Sequence, residues 1–283
     1  MAAPEFSSAL FLPLDRLAEG FAACFAGYVV PISADVRAFE QRLRTEHVHL
    51  ADSHVMVREG RVVALGLVAR RGDVSRVAAM GIVPELRRSG VGHALLQRIF
   101  DDARSRGDRS VGLEVIESNA PAVALYERTG FQVRRRLVGW EGTLPEHSAP
   151  LEEVPLTTAV AAVLREGEPG LPWQLAPETL AGLTAPTRAF RLGSAVAVIT
   201  EAGPQDVVLR SLVVAREKRR QGEGSRLVRG LAARLPGRRW KVPAISPEEL
   251  GAPFFTAMGL RRQALTQLEM VHGLQEGESS SRT

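Results

Sequence analysis

The segment Arg87-Arg88-Ser89-Gly90-Val91-Gly92 holds the residue types of an anion cradle. It lies between a strand-like run that ends at Val83 and an amphipathic run whose apolar face carries Val91, Ala94, Leu95, Ile99 and Ala103. The first N–H groups of such a helix have no intrahelical acceptor, and its dipole is positive at that end. Glycines let a phosphate approach the backbone closely, and the arginines add charge. On these residues alone two readings stay open, a diphosphate site and a glycine-containing helix start with solvated arginines. A P-loop is excluded, because no Gly-Lys-Ser/Thr occurs. The dinucleotide fingerprint is excluded too, because Leu95 stands where its third glycine belongs.

Other chemistries find less support. Cys24 is the single cysteine, in the apolar helical stretch Phe21 to Phe25, and reads as a buried structural thiol. A disulfide framework and a cysteine-based zinc site are therefore excluded. The six histidines show no metal-ligand spacing, so no metal is expected; His47-Val48-His49 alternates as a strand or loop pair would. The chain of 283 residues has net charge +4, and its basic residues are nearly all arginine, Lys218 and Lys241 excepted. An anionic ligand such as a nucleotide cofactor fits that charge, as does plain genome composition. No long basic run interleaved with aromatics occurs, so nucleic acid is not an expected partner. Without a signal peptide or an apolar run of about 18 residues, the expectation is a cytoplasmic protein with no membrane partner.

The elements that must position the cradle follow from periodicity. Ser7 to Leu12 reads as a strand, Asp15 to Phe25 as a helix, and Ser33 as the N-cap of a helix to Glu46. Three strand runs, His54–Arg58, Arg61–Ala69 and Val74–Val83, are joined by Glu59-Gly60 and Arg71-Gly72-Asp73, which makes an antiparallel meander. A helix from Gly90 to Arg106, a strand from Ser110 to Ile116, a helix opened by Asn119 and closed by Gly130, and a strand from Phe131 to Trp140 complete the first half. Residues 141–155 read as a linker, and 275–283 as a disordered tail.

The order then repeats. Gly81 to Gly92 aligns with Val213 to Gly224, 132 positions on, and the endings Thr129-Gly130-Phe131 and Met258-Gly259-Leu260 correspond. Duplication of one fold explains both. The expected division is 1–145 and 146–274, followed by the tail.

An Arg/Gln-x-x-Gly-x-Gly/Ala cradle after a strand ending in Pro-Glu, followed by Leu113-Glu114 through Asn119, Ala122 and Tyr126 to Gly130-Phe131, resembles the two signatures of the GNAT (Gcn5-related N-acetyltransferase) family. The resemblance covers residues 7 to 140 in element order and is specific at 80–93 and 113–131. It implies an α/β (α+β) chain of two GNAT folds in tandem, each a mixed, mostly antiparallel twisted sheet flanked by helices. It further implies an acyltransferase that uses acetyl-CoA as co-substrate and acetylates a small-molecule or peptide amine in a ternary complex. The oligomeric expectation is a monomer or homodimer.

Family roles transfer residue by residue. Gly81, Ile82 and Val83 match the strand whose backbone meets the pantetheine arm and polarises the thioester carbonyl. Arg87, Arg88, Ser89, Gly90, Val91, Gly92 and His93 match the diphosphate loop. Asn119 and Ala122 match positions that contact the cofactor. Tyr126 stands where the family's general acid stands. Glu114, twelve residues earlier, resembles the glutamate implicated as base in bacterial ribosomal-protein alanine N-acetyltransferases; a structural ion pair and a water chain in its place remain alternatives. Tyr28, Val30 and Pro31 fall where the family binds its amine, or simply pack.

The second half departs from the pattern. Arg219 to Gly224 keeps the cradle, but Phe255 replaces the tyrosine, Ser246-Pro247-Glu248 falls where Asn119 stands, and Glu223 puts a carboxylate in the anion loop. The expectation is a degenerate second domain. A non-catalytic acyl-CoA sensor or scaffold, and a tandem acetyltransferase resembling mycothiol synthase, are the competing readings.

Overall fold

The computed structural model describes residues 4–30, 32 and 34–274. Along the chain run β1 (Ser7–Ser8), α1 (Leu14–Cys24), α2 (Val36–Glu46), β2 (His54–Arg58), β3 (Arg61–Arg71), β4 (Val74–Ile82), α3 (Val91–Ser105), β5 (Ser110–Ile116), α4 (Ala120–Arg128) and β6 (Gln132–Gly142). There follow β7 (Glu152–Val154), α5 (Leu156–Glu166), α6 (Pro177–Ala181), β8 (Thr187–Leu192), β9 (Ala195–Ala202), β10 (Asp206–Val214), α7 (Glu223–Arg234), β11 (Arg239–Pro247), α8 (Ala252–Ala257), β12 (Arg261–Arg262) and β13 (Gln267–Gly273). Two units result over the described residues. One takes the described residues up to Val115, Asn119–Arg134 and those from Glu269 on; the other takes Ile116–Ser118 and Arg135–Leu268.

In the first unit the strands are ordered β1-β2-β3-β4-β5-β13. The meander pairs antiparallel through β2, β3 and β4, turning at Glu59-Gly60 and at Gly72, where φ is positive. The β4–β5 pair is parallel. Leu95, Ile99, Phe100 and Ala103 form the buried stripe of α3. Gly66 on β3 lets that helix close in, since a Cβ there would lie 3.0 Å from the Ile99 side chain.

The second unit repeats the plan with β6-β11-β10-β9-β8-β7. Its core joins Trp140, Phe190, Ile199, Leu227, Leu231 and Trp240, and α5 covers the other sheet face through Ala159, Ala162 and Val163. Each sheet is mixed, mostly antiparallel and flanked by helices, as the sequence led us to expect.

Several local readings change. Only Ser7 and Ser8 are strand; Ser8 Oγ accepts the Leu10 N–H at 3.2 Å and turns Ala9–Phe11 into a 3-10 turn. Asp35 caps α2, accepting the Ala38 N–H at 2.6 Å, while Ser33 lies outside the described residues. The expected linker contributes Glu141 and Gly142 to β6, and Glu152 to Val154 pair with β8. Residues 135–145, expected in the first domain, fall in the second unit, and Glu269 onward falls in the first. The expected tail lies outside the described residues. Among the described residues no helix is long and apolar enough to cross a membrane.

Candidate active site

In the first unit, β4 and β5 are paired only from Val74/Ser110 to Val77/Leu113. Beyond that point they part, so residues 78–82 and 114–115 border an opening. Register shows which groups face it. Val83 donates its N–H to the Val63 carbonyl at 3.0 Å, and Gly81 pairs with Leu65 two positions on. In an antiparallel ladder hydrogen-bonded and non-bonded pairs alternate, so the Gly81 and Val83 N–H groups are directed onto β3. The Ile82 N–H points the other way, toward the opening. Of the three residues matched to carbonyl polarisation, Ile82 alone keeps that capacity.

Gly81 serves differently. A Cβ there would sit 2.8 Å from both Cys24 Cβ and the Phe25 ring, so α1 lies directly over β4. Gly81→Ala is expected to cost about 1–3 kcal/mol, read as a lowered midpoint in urea denaturation. Cys24 beneath it is buried, and desolvation raises its thiol pKa to about 12. It should therefore resist iodoacetamide at pH 8 in the native protein and react once unfolded.

The cradle joins β4 to α3. Gly90 has φ +87 and is the N-cap of α3, and a side chain at that position would meet nothing within 4 Å. Arg88 also takes positive φ, 61°. The first helical bond in α3 runs from the Ala94 N–H to the Gly90 carbonyl at 3.1 Å. Among the described residues the N–H groups of Arg88, Ser89, Gly90, Val91, Gly92 and His93 have no acceptor within the protein. That row of unpaired donors with open space above it fits a diphosphate. Gly92 is needed for packing, since a Cβ would lie 3.1 Å from both Ile82 and Leu125; Val91 is buried. Arg87 fastens the loop to α1: its guanidinium donates to the carbonyls of Ile82, Cys24 and Ala26 at 3.1, 3.4 and 3.2 Å. The Ser89 hydroxyl donates to the Leu86 carbonyl at 2.6 Å. Arg88 and His93 stay exposed.

Tyr126 on α4 is 7% exposed. Burial raises its phenol pKa well above the ordinary value, and neighbouring Tyr28 adds to the rise. Tyr28 is itself raised by burial, against the Arg42 charge and a hydrogen bond with the Asn119 side chain. Tyr28 thus neighbours both Asn119 and Tyr126. Asn119 is the N-cap residue of α4 without a side-chain capping bond. Ala122 closes the first turn by donating its N–H to the Asn119 carbonyl at 3.0 Å. Val30 is 44% exposed, and Pro31 lies outside the described residues.

Glu114 is held by an ion pair. Its Oε2 accepts from Arg76 Nε at 2.7 Å and from Nη2 at 2.5 Å, and Arg76 also reaches Glu46 at 2.7 Å. The side chains of Arg76 and Glu114 are 4% and 5% exposed. This is the ion-pair alternative for Glu114, and sequence gave no signal for Glu46 or Arg76 as its partners.

The second unit preserves the scaffold. β10 and β11 pair from Asp206/Arg239 to Val208/Lys241 and then part. Gly222 caps α7 at φ +84, Arg220 takes φ 60, and the Arg226 N–H is the first to reach a helical carbonyl, Gly222 at 2.9 Å. Arg219 repeats the fastening of Arg87, with Nε on the Val214 carbonyl at 3.2 Å. Glu223 is held by Ser194 and stays ionised within the anion loop. Its carboxylate accepts from Ser194 N–H at 2.8 Å and Oγ at 2.5 Å, which lowers its pKa. Phe255 does occupy the tyrosine's place: Leu260 donates its N–H to the Phe255 carbonyl at 3.0 Å, as Phe131 does to Tyr126. Counted back from the closing glycine, Asn119 matches Glu248, which precedes α8; that shorter helix is capped by Gly251.

Comparison with known proteins places this geometry. The model of the acetyltransferase (GNAT) family matches residues 15–131. The [ribosomal protein bS18]-alanine N-acetyltransferase of Escherichia coli K12 is 34% identical over 76 residues, 27% of this chain and 51% of the relative. The chain thus spans about half the length of the curated relatives it matches. A GCN5-related N-acetyltransferase from Sphaerobacter thermophilus shares the fold over 100% of both chains at TM-score 0.69 and 17% identity. A tandem GNAT protein from the clavulanic acid biosynthesis pathway shares it over 97% of this chain and 99% of its own, at 0.65 and 15%. The cradle, the splayed strands and the second signature all lie inside residues 15–131, the segment that matches the GNAT acetyltransferase family model, and the two units have the tandem GNAT fold.

Proposed function

We propose that the first unit transfers the acetyl group of acetyl-CoA to a primary amine, on a small molecule or at a peptide N-terminus, by direct attack in a ternary complex. The observation that carries this reading is the meeting of three features in one unit: the unpaired N–H groups of 88–93, the opening beyond Val77/Leu113, and Tyr126 buried on α4. The diphosphate rests on the cradle, and the arm lies along the free edge of β4 with its carbonyl near the Ile82 N–H. The amine nitrogen bonds to the carbonyl carbon, the carbon–sulfur bond breaks, and the Tyr126 hydroxyl protonates the departing thiolate. Glu114, fixed on Arg76, accepts the amine's proton directly or through water.

Thiol release from acetyl-CoA in the presence of a panel of small amines and N-terminal peptides tests this. Gly90→Glu, which sets a carboxylate on the cradle at a left-handed residue, is expected to abolish release while the second unit's cradle stays intact. Undiminished release in that variant, or none from the wild type with any amine, would overturn the assignment.

A further inference from the structure

The second unit contains a cavity of about 730 Å³ within the parting of β10 and β11. Lys218, Arg220, Gly222 and Ser225 of the cradle border it, Leu171 and Phe254 line its sides, and Arg210 lies in its wall. Arg210 occupies a β-bulge: Leu209 pairs with Ile199 and Ser211 with Val198, so Arg210 has no partner on β9. Bulges redirect a side chain out of the ladder. The first unit has the same bulge at Ala78, between Val77/Val68 and Ala79/Leu67. The duplicated folds thus place an alanine and an arginine at one structural position.

Arg210 is only partly accessible, and its pKa is lowered by desolvation alone. Its hydrogen bond goes to the Thr200 hydroxyl at 3.1 Å, and among the described residues no carboxylate pairs with it. The three carboxylates that line the cavity are engaged elsewhere. Glu166 accepts from the Arg216 N–H, Glu168 from Arg219, and Glu223 from Ser194. A guanidinium cannot shed its charge, so burying it without a counterion is costly unless an anion arrives.

The two ends of the cavity define the occupant. At the mouth, the N–H groups of Arg220 through Ser225 have no acceptor among the described residues, as in the first unit. Toward the other end, two residues from the Val208/Lys241 pair where strand pairing resumes, stands Arg210. Residues 210 to 214 of β10 span about 13 Å at the rise of a strand. A ligand with phosphates at one end, an extended apolar arm and an acid at the other satisfies both ends at once. We propose that the second unit binds coenzyme A thioesters of dicarboxylic acids, with the distal carboxylate on Arg210. Phe255 has no proton to give, so this site binds rather than turns over. The inference does not depend on catalysis in the first unit.

Calorimetric titration of the full chain with succinyl-CoA and with butyryl-CoA, equal in acyl carbon count, tests it. Succinyl-CoA is expected to bind at least about tenfold more tightly. That preference should fall below about threefold in Arg210→Gln, persist in part in Arg210→Lys, vanish with binding in Gly222→Glu, and survive Gly90→Glu. Equal wild-type affinities overturn the proposal even if a variant fails to fold. So does a preference that survives Arg210→Gln or disappears with Gly90→Glu. Free succinate competing as well as its thioester would make the occupant a simple acid and overturn the coenzyme assignment. Loss of acetyl transfer in Gly90→Glu reports on the first unit separately.

Discussion

Tyr126→Phe should lower kcat about 100-fold and leave the KM for acetyl-CoA nearly unchanged. The chain already contains a phenylalanine at the corresponding place: Phe255 sits on α8 with the same backbone bond to the residue after the closing glycine. The substitution keeps the ring that meets Phe131 edge-on at 5.7 Å, so folding should be preserved. What it removes is one hydroxyl proton. Burial and Tyr28 raise the pKa of that hydroxyl, so the donor stays protonated through neutral and mildly alkaline pH. The wild type should therefore keep its kcat to beyond pH 9 as far as this group is concerned. Steady-state kinetics at saturating amine decides the matter: equal turnover in the variant would remove Tyr126 from the reaction.

Arg76→Met should destabilise the protein by about 3–5 kcal/mol, because it leaves Glu46 and Glu114 buried without their shared cation. For a chain of this size that is a fall in Tm on the order of 10 °C. The sign with pH follows from Glu46. Burial alone would raise its pKa, but the charges and hydrogen bonds of Arg76 and Arg42 outweigh this and hold it below the usual glutamate range. A depressed carboxylate contributes stability above its unfolded pKa and loses it as pH falls through the folded one. In the variant Glu46 loses the larger of the two charges that hold it ionised, and protonation relieves its burial instead. The gap between wild type and Arg76→Met should thus be widest near pH 7 and narrow below about pH 4.5. Adding Glu46→Gln and Glu114→Gln should recover part of the loss at pH 7. A Tm unchanged by Arg76→Met at pH 7 would show the cluster to be energetically idle.

The fold was legible wherever local pattern and tertiary demand agreed. The meander could be read from turns that only left-handed residues close, Gly60 and Gly72, and α3 from an apolar stripe at helical spacing. The cradle was legible because backbone donors at a helix start need nothing from elsewhere in the chain. Its duplication was legible for the same reason, since Gly90 and Gly222 hold one conformation, φ +87 and +84.

What the sequence could not contain were facts of pairing between distant residues. Arginine beside a glycine-rich loop suggests phosphate in either unit, yet Arg87 and Arg219 face inward, because the carbonyls at the end of α1 and at Val214 lie within reach only once the chain has folded. Glu114 sits 38 positions from Arg76 in sequence and 2.7 Å from it in space. Ladder register, set by Val83 on Val63, turned the Ile82 N–H outward and its neighbours inward. A bulge turned Arg210 into a cavity, where sequence gave one more arginine in a strand. Residue type thus fixed which backbone shapes and protons were available. Only tertiary contacts, which spend some charges on carbonyls and carboxylates and leave others unspent, decided which remained for a ligand.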